Sequence, residues 1–291
     1  MKIIFVIPVY NDEASLKKLI NNIKIELEKF TLHFVVVDDC SKDDFKSLTD
    51  LSEIDLISLK HNHGSQKAIS IGLNYILNKK TQFDHIIIMD SDGEDKPEDL
   101  RSLIKNSVND KNHVIFASRK KRLETTLFKF FYFLYRCVFK LLTGNKINFG
   151  NFSCISKELL NSIVTIPYVD YHYSAAIINS KQDYKSIPCD KGNRYMGQSK
   201  MSFFNLVFHA FKSLSIFSKK IFIRFLIMFF ITNFIFIYSK IDSIIILNSL
   251  IIFFASPFFI YLFWLRNKIF KKENLMNNSN YRSFIRDIKS L

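Results

Sequence analysis

Hydrophobic and polar positions alternate regularly from Lys2 to about Ser118. Short apolar runs are separated by longer segments in which apolar residues recur every three or four positions, as at Leu16, Leu19 and Ile20. The runs predict strands and the longer segments predict helices. The predicted strands are Ile3–Ile7, His33–Val37, Asp55–Leu59, His85–Met89 and Val114–Ala117, and the helices after the first are Ser65–Asn78 and Pro97–Asn109.

This alternation indicates an α/β fold in which helices cover both faces of a mostly parallel sheet. Ligands bind such sheets at the carboxyl ends of the strands. Polar residues cluster directly after four predicted strands, in Pro8–Asn11, Asp38–Asp44, His61–Lys67 and Asp90–Asp95. Binding chemistry is therefore expected at this edge of the sheet. The glycine-rich signatures of dinucleotide and P-loop sites are absent from the sequence, which disfavours those two classes.

Two apolar stretches, at about 221–239 and 243–265, have the composition of membrane-spanning helices. The first carries one charge, Arg224, near enough to its start to reach lipid headgroups, and the second carries none. Each approaches the roughly 20 residues that cross a bilayer. Basic residues flank the pair, so the positive-inside rule places both ends in the cytoplasm. We expect a transmembrane hairpin within 219–268; two helices buried in a soluble core are the alternative.

Segments near 127–142 and 203–217 are apolar and aromatic with interspersed charges. They are expected to lie in the membrane interface as amphipathic helices, with core packing as the alternative. Residues 1–218 then form the α/β domain together with these helices, and 269–291 form a basic cytoplasmic tail, a surface helix or disordered chain. A formal net charge of +14 fits an anionic partner: nucleic acid, a phosphate-bearing substrate or an acidic lipid surface.

Asp90 and Asp92 follow the fourth predicted strand, with Glu94 in reach. Neighbouring carboxylates form a hard oxygen site suited to Mg²⁺ or Mn²⁺. Such an ion would bridge the diphosphate of a nucleotide and neutralise charge on the leaving group. A solvated acidic turn is the commoner explanation of an isolated D-x-D pair, but the position after a buried strand favours a metal site.

Taken in order, these segments resemble the family 2 glycosyltransferases of the GT-A fold. The stretch from Asp90 to Glu98 is similar to the D-x-D-x-Q-D-P-P-E stretch of dolichyl- and polyprenyl-phosphate sugar synthases. Arg194–Lys200, followed by an amphipathic stretch and two spans, resembles the same group. The set that carries the resemblance is Ile7–Asn11, Val37–Asp43, Asn62-x-Gly64 and Asp90-x-Asp92, and the resemblance extends from Lys2 to about Lys268.

The resemblance implies an inverting enzyme that moves a sugar from a nucleotide-sugar donor to a polyprenyl phosphate of the undecaprenyl or dolichyl type. The product would serve cell-surface glycan modification. The enzyme would be an integral membrane protein, most simply of the bacterial inner membrane, with its catalytic domain and C-terminus in the cytoplasm. Nucleic acid is not an expected partner, and the sequence leaves open the sugar, the nucleotide and whether the chain forms a homo-oligomer.

The resemblance also assigns roles to individual residues. Asp39 would read the base, and Asp90, Asp92 and Glu94 would surround the metal. The remaining donor-binding residues would be Pro8, Tyr10, Asn11, Asn62, Gly64, Lys67 and Ser91. The acceptor phosphate would meet Arg119, Arg122, Arg194, Ser199 and Lys200, and the catalytic residues would be Asp92, Asn151 and Arg119.

Asn151 marks a departure from the family pattern. Many relatives carry Gly-Asp-Phe-Arg where this chain has Gly150-Asn151-Phe152-Ser153. The missing carboxylate puts a general base there in doubt. A phosphate monoester, however, has a second pKa near 6 and is largely dianionic at neutral pH, so it needs little deprotonation as a nucleophile. Asn151 could still orient it by hydrogen bonding.

Three other functions compete with this interpretation. The alternative enzyme of the same family acts on a glycan or other hydroxyl acceptor, but a hydroxyl needs a base, which Asn151 does not supply. A processive polysaccharide synthase would carry a Q-x-x-R-W motif, whereas the single Trp, Trp264, lies in the second apolar stretch. A non-catalytic basic scaffold is disfavoured by the ordered acidic turns.

Overall fold

The computed structural model describes residues 1–49, 51–119, 126–197, 203–239, 256–265, 267 and 280–291. The chain divides into two compact units. Unit 1 comprises Met1–Thr126, Asn148–Lys200 and Met276–Leu291, and unit 2 comprises Leu127–Ile147 and Met201–Leu275. Unit 1 is therefore assembled from three separate segments, the last of which comes more than 70 residues after the second.

In the described part of the chain, unit 1 is built on one eight-stranded sheet. Its strands are β1 (Lys2–Val9), β2 (Thr31–Asp38), β3 (Ile54–Leu59), β4 (His85–Ile88), β5 (Val114–Arg119), β6 (Phe149–Ser156), β7 (Tyr184–Cys189) and β8 (Ile285–Ser290). Their order in the sheet is β7-β5-β6-β4-β1-β2-β3-β8. β1 is parallel to β2 and β4, β3 is parallel to β2, and β7 is parallel to β5. β6 runs antiparallel between β4 and β5, and β8 runs antiparallel along β3.

Helices cover this sheet and complete its core. Leu16, Leu19 and Ile20 of the first helix are fully buried, as their spacing predicts. The second helix approaches β1 closely at Gly72, where a Cβ atom would lie 2.7 Å from Val6 Cγ1. The helices of unit 1 are α1 (Glu13–Glu26), α2 (Ser65–Lys79), α3 (Leu100–Asn109), α5 (Lys157–Val164) and α6 (Tyr173–Ser180), with 3₁₀ turns at Lys46–Leu48, Pro97–Asp99 and Tyr281–Phe284. The predicted α/β class and mostly parallel sheet are confirmed.

The end of the chain differs from the expected tail. Residues 285–290 form β8 at the edge of the sheet, where Asp55 and Leu56 of β3 pair with Ser290 and Lys289. Its side chains are largely exposed and do not alternate between apolar and polar, so no local pattern predicts this strand. Backbone pairing with β3, rather than burial of an apolar face, holds the segment in place. Residues 269–279 of the expected tail lie outside the described residues.

Unit 2 is helical in its described residues: α4 (Thr126–Thr143), α7 (Phe203–Ile216), α8 (Ser218–Ser239) and a helical stretch at 256–265. Tyr135 of α4 hydrogen-bonds to Ser213 of α7 at 2.8 Å. The Arg224 guanidinium donates to the Leu141 carbonyl oxygen at 3.1 Å, a favourable place for a cation because the carbonyls at a helix C-terminus carry partial negative charge. This contact differs from the headgroup contact expected for Arg224.

The predicted interfacial segments 127–142 and 203–217 coincide with α4 and α7, and the predicted first span coincides with most of α8. Among the residues described, no helix combines the length and the apolarity that crossing a membrane requires. The predicted hairpin therefore has no support from the described helices. Residues 240–255, which include half of its second span, lie outside the described residues.

Candidate active site

An open cleft of about 170 Å³ lies at the carboxyl ends of the central strands of unit 1. Strand order reverses beside β1, because the chain builds β2 and β3 on one side of it and β4 on the other. Such a reversal leaves a crevice outside the strand ends, the usual ligand site of open α/β sheets. The cleft is lined by Pro8, Val9, Tyr10, Asp12, Asp39, Ser65, Asp90, Ser91, Asp92 and Arg194.

The loop after β4 places two carboxylates, Asp90 and Asp92, in this cleft. The buried Asp95 carboxylate accepts from the Asp90 N–H at 3.1 Å, and Asp92 Oδ1 accepts from the Glu94 N–H at 2.9 Å. These bonds within the loop fix its curvature. Glu94 faces elsewhere: its Oε2 lies 2.9 Å from the ammonium nitrogen of Lys191.

Residues 191–195 close one side of the cleft and bind the acidic loop through backbone and side chains. The Gly192 N–H donates to the Glu94 carbonyl oxygen, and the Tyr195 N–H donates to that of Asp92. The Tyr195 hydroxyl accepts from Asn22 of α1 at 2.9 Å, and its ring covers Gly93. A Cβ at Gly93 would lie 2.6 Å from the ring, and its φ of 83° favours glycine.

Arg194 reaches into the cleft between two carboxylates. Its Nη1 lies 2.9 Å from Asp92 Oδ2, and its Nη2 lies 3.4 Å from Asp12 Oδ2. Its Nε–H is buried and has no hydrogen-bond partner among the described residues. Buried polar groups in native proteins are nearly always paired, so this unpaired donor is an exception within the wall of the cleft.

Asp39 follows β2 and anchors the loop between β3 and α2. Its two carboxylate oxygens accept the backbone N–H groups of His63 and Gly64, each at 2.7 Å. Burial raises the pKa of Asp39 above its usual value, while the two N–H bonds oppose the rise. Each oxygen retains a second lone pair, so Asp39 can hold the loop and still accept from a ligand in the cleft.

The first turn of α2 directs three successive side chains to different partners. Ser65 lines the cleft. Gln66 donates to Asn151 Oδ1 at 3.1 Å and accepts from the Tyr173 N–H at 2.7 Å, which fixes the amide of Asn151 near the start of β6. Lys67 lies 3.9 Å from Asp170. Asn151 is therefore oriented by a neighbouring amide and not by a charged group.

The acidic loop suits a divalent cation that is completed by a ligand. Across the described ranges, no three His, Cys, Asp or Glu side chains converge to form a complete cation site. Mg²⁺ and its analogues, however, are commonly held by one or two carboxylates together with substrate phosphates. The hard oxygens of Asp90 and Asp92 fit that description, whereas Glu94 is paired with Lys191.

The structure brings most predicted donor residues to the cleft edge, although not all of them line it. The cleft contains the predicted donor residues Pro8, Tyr10, Asp39, Asp90 and Ser91, and also Asp92, predicted as a metal ligand, and Arg194, predicted for the acceptor phosphate. Asn11 instead joins two loops, accepting from the Lys42 N–H, and Asn62 is exposed. Gly64 and Lys67 act on the wall of the cleft through Asp39 and Asp170. Arg119 ends β5, and Arg122, Ser199 and Lys200 lie outside the described residues.

Sequence reasoning missed several residues of the site: Asp12, Ser65, Gln66, Lys191 and Tyr195. Asp12 directly follows the polar segment Pro8–Asn11, and Ser65 lies within the polar segment His61–Lys67, so both are close to residues that the sequence predicts. Tyr195 lies within the Arg194–Lys200 motif. Lys191 and Gln66 gave no separate signal, because their importance depends on partners distant in sequence.

Comparison with known proteins identifies the family. The model of glycosyl transferase family 2 matches residues 4–164, more than half of the chain. The chain belongs to the family 2 glycosyltransferases, and its α/β unit has a GT-A-like fold.

Two relatives illustrate the similarity. An uncharacterised glycosyltransferase of Synechocystis sp. is 28% identical over 213 residues, covering 69% of this chain and 64% of that protein. The undecaprenyl-phosphate 4-deoxy-4-formamido-L-arabinose transferase of Shewanella sediminis is 25% identical over 215 residues, covering 69% of this chain and 62% of that protein. The chain thus spans less than two thirds of the length of these relatives.

Among solved structures, the chain is similar to glucosyl-3-phosphoglycerate synthase from Mycobacterium tuberculosis in complex with Mn²⁺, UDP and phosphoglyceric acid. The TM-score is 0.57 at 13% identity, and the match covers 76% of this chain and 78% of that one. At this identity the similarity shows the fold alone.

Proposed function

We propose that the protein transfers a sugar from a nucleotide-sugar donor to a polyprenyl phosphate, with inversion at the anomeric carbon. The observation that carries this proposal is the juxtaposition in one cleft of Asp90, Asp92 and the Arg194 guanidinium. Paired carboxylates and a guanidinium are complementary to a cation-bridged diphosphate. Relatives named as undecaprenyl-phosphate sugar transferases support the choice of acceptor.

In the proposed reaction, a phosphate oxygen of the lipid attacks the anomeric carbon and forms a new C–O bond. The bond between that carbon and the donor diphosphate breaks, and its electron pair leaves with the nucleoside diphosphate. Asp90 and Asp92 would hold a Mg²⁺ or Mn²⁺ ion, which when bound neutralises charge on the departing diphosphate. Arg194 offers hydrogen bonds to phosphate oxygens, and the 61–67 loop held by Asp39 positions the nucleotide.

The amide of Asn151, where relatives carry an acid, supports a phosphate acceptor. A hydroxyl acceptor must lose a proton as it attacks, whereas a phosphate monoester near neutral pH is already an anion. Asn151 is fixed by Gln66 and contributes an amide where relatives carry an acid. Its proposed role is to orient the acceptor by hydrogen bonding. Acceptor roles for Arg119, Arg122, Ser199 and Lys200 are part of the same proposal.

Membrane association at the cytoplasmic face, with the predicted hairpin as anchor, is also part of the proposal. Many large apolar side chains of unit 2 are exposed, among them Phe133 and Leu141 of α4. Extended exposed apolar surface is uncommon on soluble monomers and marks sites of protein or membrane contact. A lipid surface would cover these side chains and would present polyprenyl phosphate. The exposed apolar residues of α8 and 256–265 include Ile223, Ile227, Phe230, Ile231, Phe234, Ile260 and Trp264.

The test uses the full chain purified in detergent, polyprenyl phosphate, Mn²⁺ and a panel of nucleotide sugars, with mass spectrometry of the lipid product. We expect product from the wild-type chain. The rate of product formation should fall on the order of 10²-fold or more in Asp92→Ala, because the cation that would neutralise the leaving group loses a carboxylate ligand. Asp110→Ala is the matched control. Asp110 caps α3 before the amino end of β5, at the opposite edge of the sheet.

Near-normal turnover of Asp92→Ala would exclude the proposed role of the acidic loop. Sugar found on a hydroxyl group, with none on the lipid phosphate, would replace the proposed acceptor with the hydroxyl alternative. If no donor in the panel is consumed while the chain is folded, the proposed reaction is wrong.

A further inference from the structure

The segment 280–291 contacts the loop that forms one wall of the cleft. The Lys60 N–H donates to the Phe284 carbonyl oxygen at 3.0 Å, and the Lys60 ammonium donates to that of Ser283 at 2.8 Å. Lys60 directly follows β3 and leads into residues 61–64, which precede α2. The 3₁₀ turn Tyr281–Phe284 therefore lies against the start of this loop, and β8 continues along β3.

The Phe284 ring contacts two side chains of the same wall. Its centroid lies 5.3 Å from that of His63 in an edge-to-face arrangement. The Lys67 ammonium lies over the ring, 4.3 Å from its centroid, and also 3.9 Å from Asp170. Edge-to-face aromatic pairs and cation–π contacts both stabilise the geometry in which they are found. Phe284 thus fixes the loop before α2 and the first turn of the helix together.

His63 connects this contact to the cleft. Its backbone N–H, together with that of Gly64, binds the carboxylate of Asp39, and Asp39 and Ser65 both line the cleft. Movement of the loop by even one ångström would break these bonds and displace Ser65. Burial lowers the pKa of Lys67, with the Asp170 charge opposing, so the lysine lies in a partly dry setting where its contacts are stronger than on an open surface.

We propose that the Tyr281–Phe284 turn is a positioning element of the donor site, and that Phe284 acts through His63 and Lys67 to hold the 61–67 loop against Asp39. This inference rests on the proposed function. Phe284 is a positioning residue and not a catalytic one, because it contacts the wall of the cleft and not the cleft itself. Its loss should weaken binding of the nucleotide more than it slows transfer at saturating donor.

The test measures binding of UDP, GDP and CDP to the full chain with Mn²⁺ by isothermal titration, followed by donor KM and kcat for the nucleotide that binds. Phe284→Ala should raise the Kd and donor KM about tenfold and change kcat less than threefold, since one aromatic pair and one cation–π contact are removed. Phe284→Tyr retains the ring and should bind within threefold of the wild-type chain.

Two matched variants separate positioning from stability. Ile288→Ala removes a part-exposed side chain of β8, and Ser290→Ala removes a hydrogen bond to Asp55 at the far end of that strand. Both should leave the nucleotide Kd unchanged, even where Ser290→Ala lowers the melting temperature. If the wild-type chain binds a nucleotide and Phe284→Ala binds it with the same Kd, the inference is wrong. It is also wrong if Ser290→Ala loses as much affinity as Phe284→Ala. If the wild-type chain binds none of the three nucleotides, the proposed function fails and the inference fails with it.

Discussion

In the proposed function, the Arg194 side chain lies beside the carboxylates at which the donor diphosphate binds. Arg194 is paired with Asp92 and Asp12, and the cleft around it measures about 170 Å³. Typical small-molecule pockets measure roughly 300–1,000 Å³, and the Arg194 guanidinium occupies part of the space beside Asp92. Binding of the proposed donor exchanges the contact between Arg194 and Asp92 for contacts between Arg194 and the phosphates.

Removal of Arg194 should therefore change two measurements in opposite directions. Arg194→Ala removes the cation paired with Asp92 Oδ2 and should tighten binding of Mn²⁺ to the nucleotide-free chain severalfold, measured by titration. It should also lower kcat/KM for the donor about 10²-fold, because a charge-assisted hydrogen-bond donor to the phosphates is lost.

Arg194→Lys keeps the charge without the planar fork and should fall between the alanine variant and the wild-type chain in both measurements. Arg101→Ala is the control, since Arg101 pairs with Glu26 on the surface of α3 and α1. Weaker Mn²⁺ binding in Arg194→Ala would show that the arginine organises Asp92 for the cation and does not compete with it.

The edge of the sheet is stabilised by a buried carboxylate. Asp55 of β3 is 1% exposed and accepts from His33 Nε2 at 2.8 Å, Lys79 Nζ at 2.5 Å and Ser290 Oγ at 2.8 Å. Burial alone would raise the pKa of Asp55, but the hydrogen bonds from His33, Lys79 and Ser290 outweigh burial and hold it well below its usual range. The Asp55 carboxylate on β3 thus binds side chains from β2, α2 and β8.

This network predicts a defined acid dependence. Because the folded pKa of Asp55 is depressed, the unfolded chain binds the proton more readily, so the stabilisation is fully present above about pH 4 and is lost as the pH falls further. Asp55→Asn should lower the free energy of unfolding at pH 7 by about 2–4 kcal/mol, since the buried hydrogen bonds from Lys79, His33 and Ser290 lose their charged acceptor. The free energies of unfolding measured with denaturant at pH 7 and at pH 3 should differ less for this variant than for the wild-type chain. Asp287→Asn, exposed on β8, should behave as wild type at both pH values.

Sequence patterns predict the first five strands because each is a nearly continuous apolar run between helical segments. β6 starts with Phe-Gly-Asn, and β7 contains polar residues and Pro188, so neither has a clear strand period. β8 depends on pairing across more than 200 residues, which no local pattern records. The same distinction holds for the cleft: its acidic loop follows from strand order, whereas the pairing of Arg194 with Asp92 depends on where a distant loop folds back.

On the scale of the whole molecule, the two units differ in surface chemistry. Unit 1 has a buried core around its sheet and a cleft lined by charged groups. Unit 2 exposes apolar side chains along α4 and α8. A net charge of +14 adds attraction to anionic lipid, and such attraction falls as salt screens it. In the proposed membrane association, the net charge would supply an electrostatic contribution and the exposed side chains of unit 2 an apolar one.

The two contributions predict different responses to extraction. With the proposed hairpin in place, the chain expressed in bacterial cells should remain in the membrane pellet after washes with 1 M salt and with alkaline carbonate, as judged by immunoblot. Release by carbonate but not by salt would leave the amphipathic helices as the anchor and exclude the hairpin. Recovery of the chain in the unwashed supernatant would exclude both.

The position of β8 in the sequence also bears on how the molecule is made. Its partner β3 is synthesised well before β8, which emerges only after the whole of residues 201–275 has been made. The nascent chain must therefore keep this edge of its sheet unpaired while the residues between β3 and β8 are synthesised, when that edge is open to association with other chains. Docking of the eighth strand is a late, long-range event, and the cleft wall that rests against the Tyr281–Phe284 turn acquires its final shape only then.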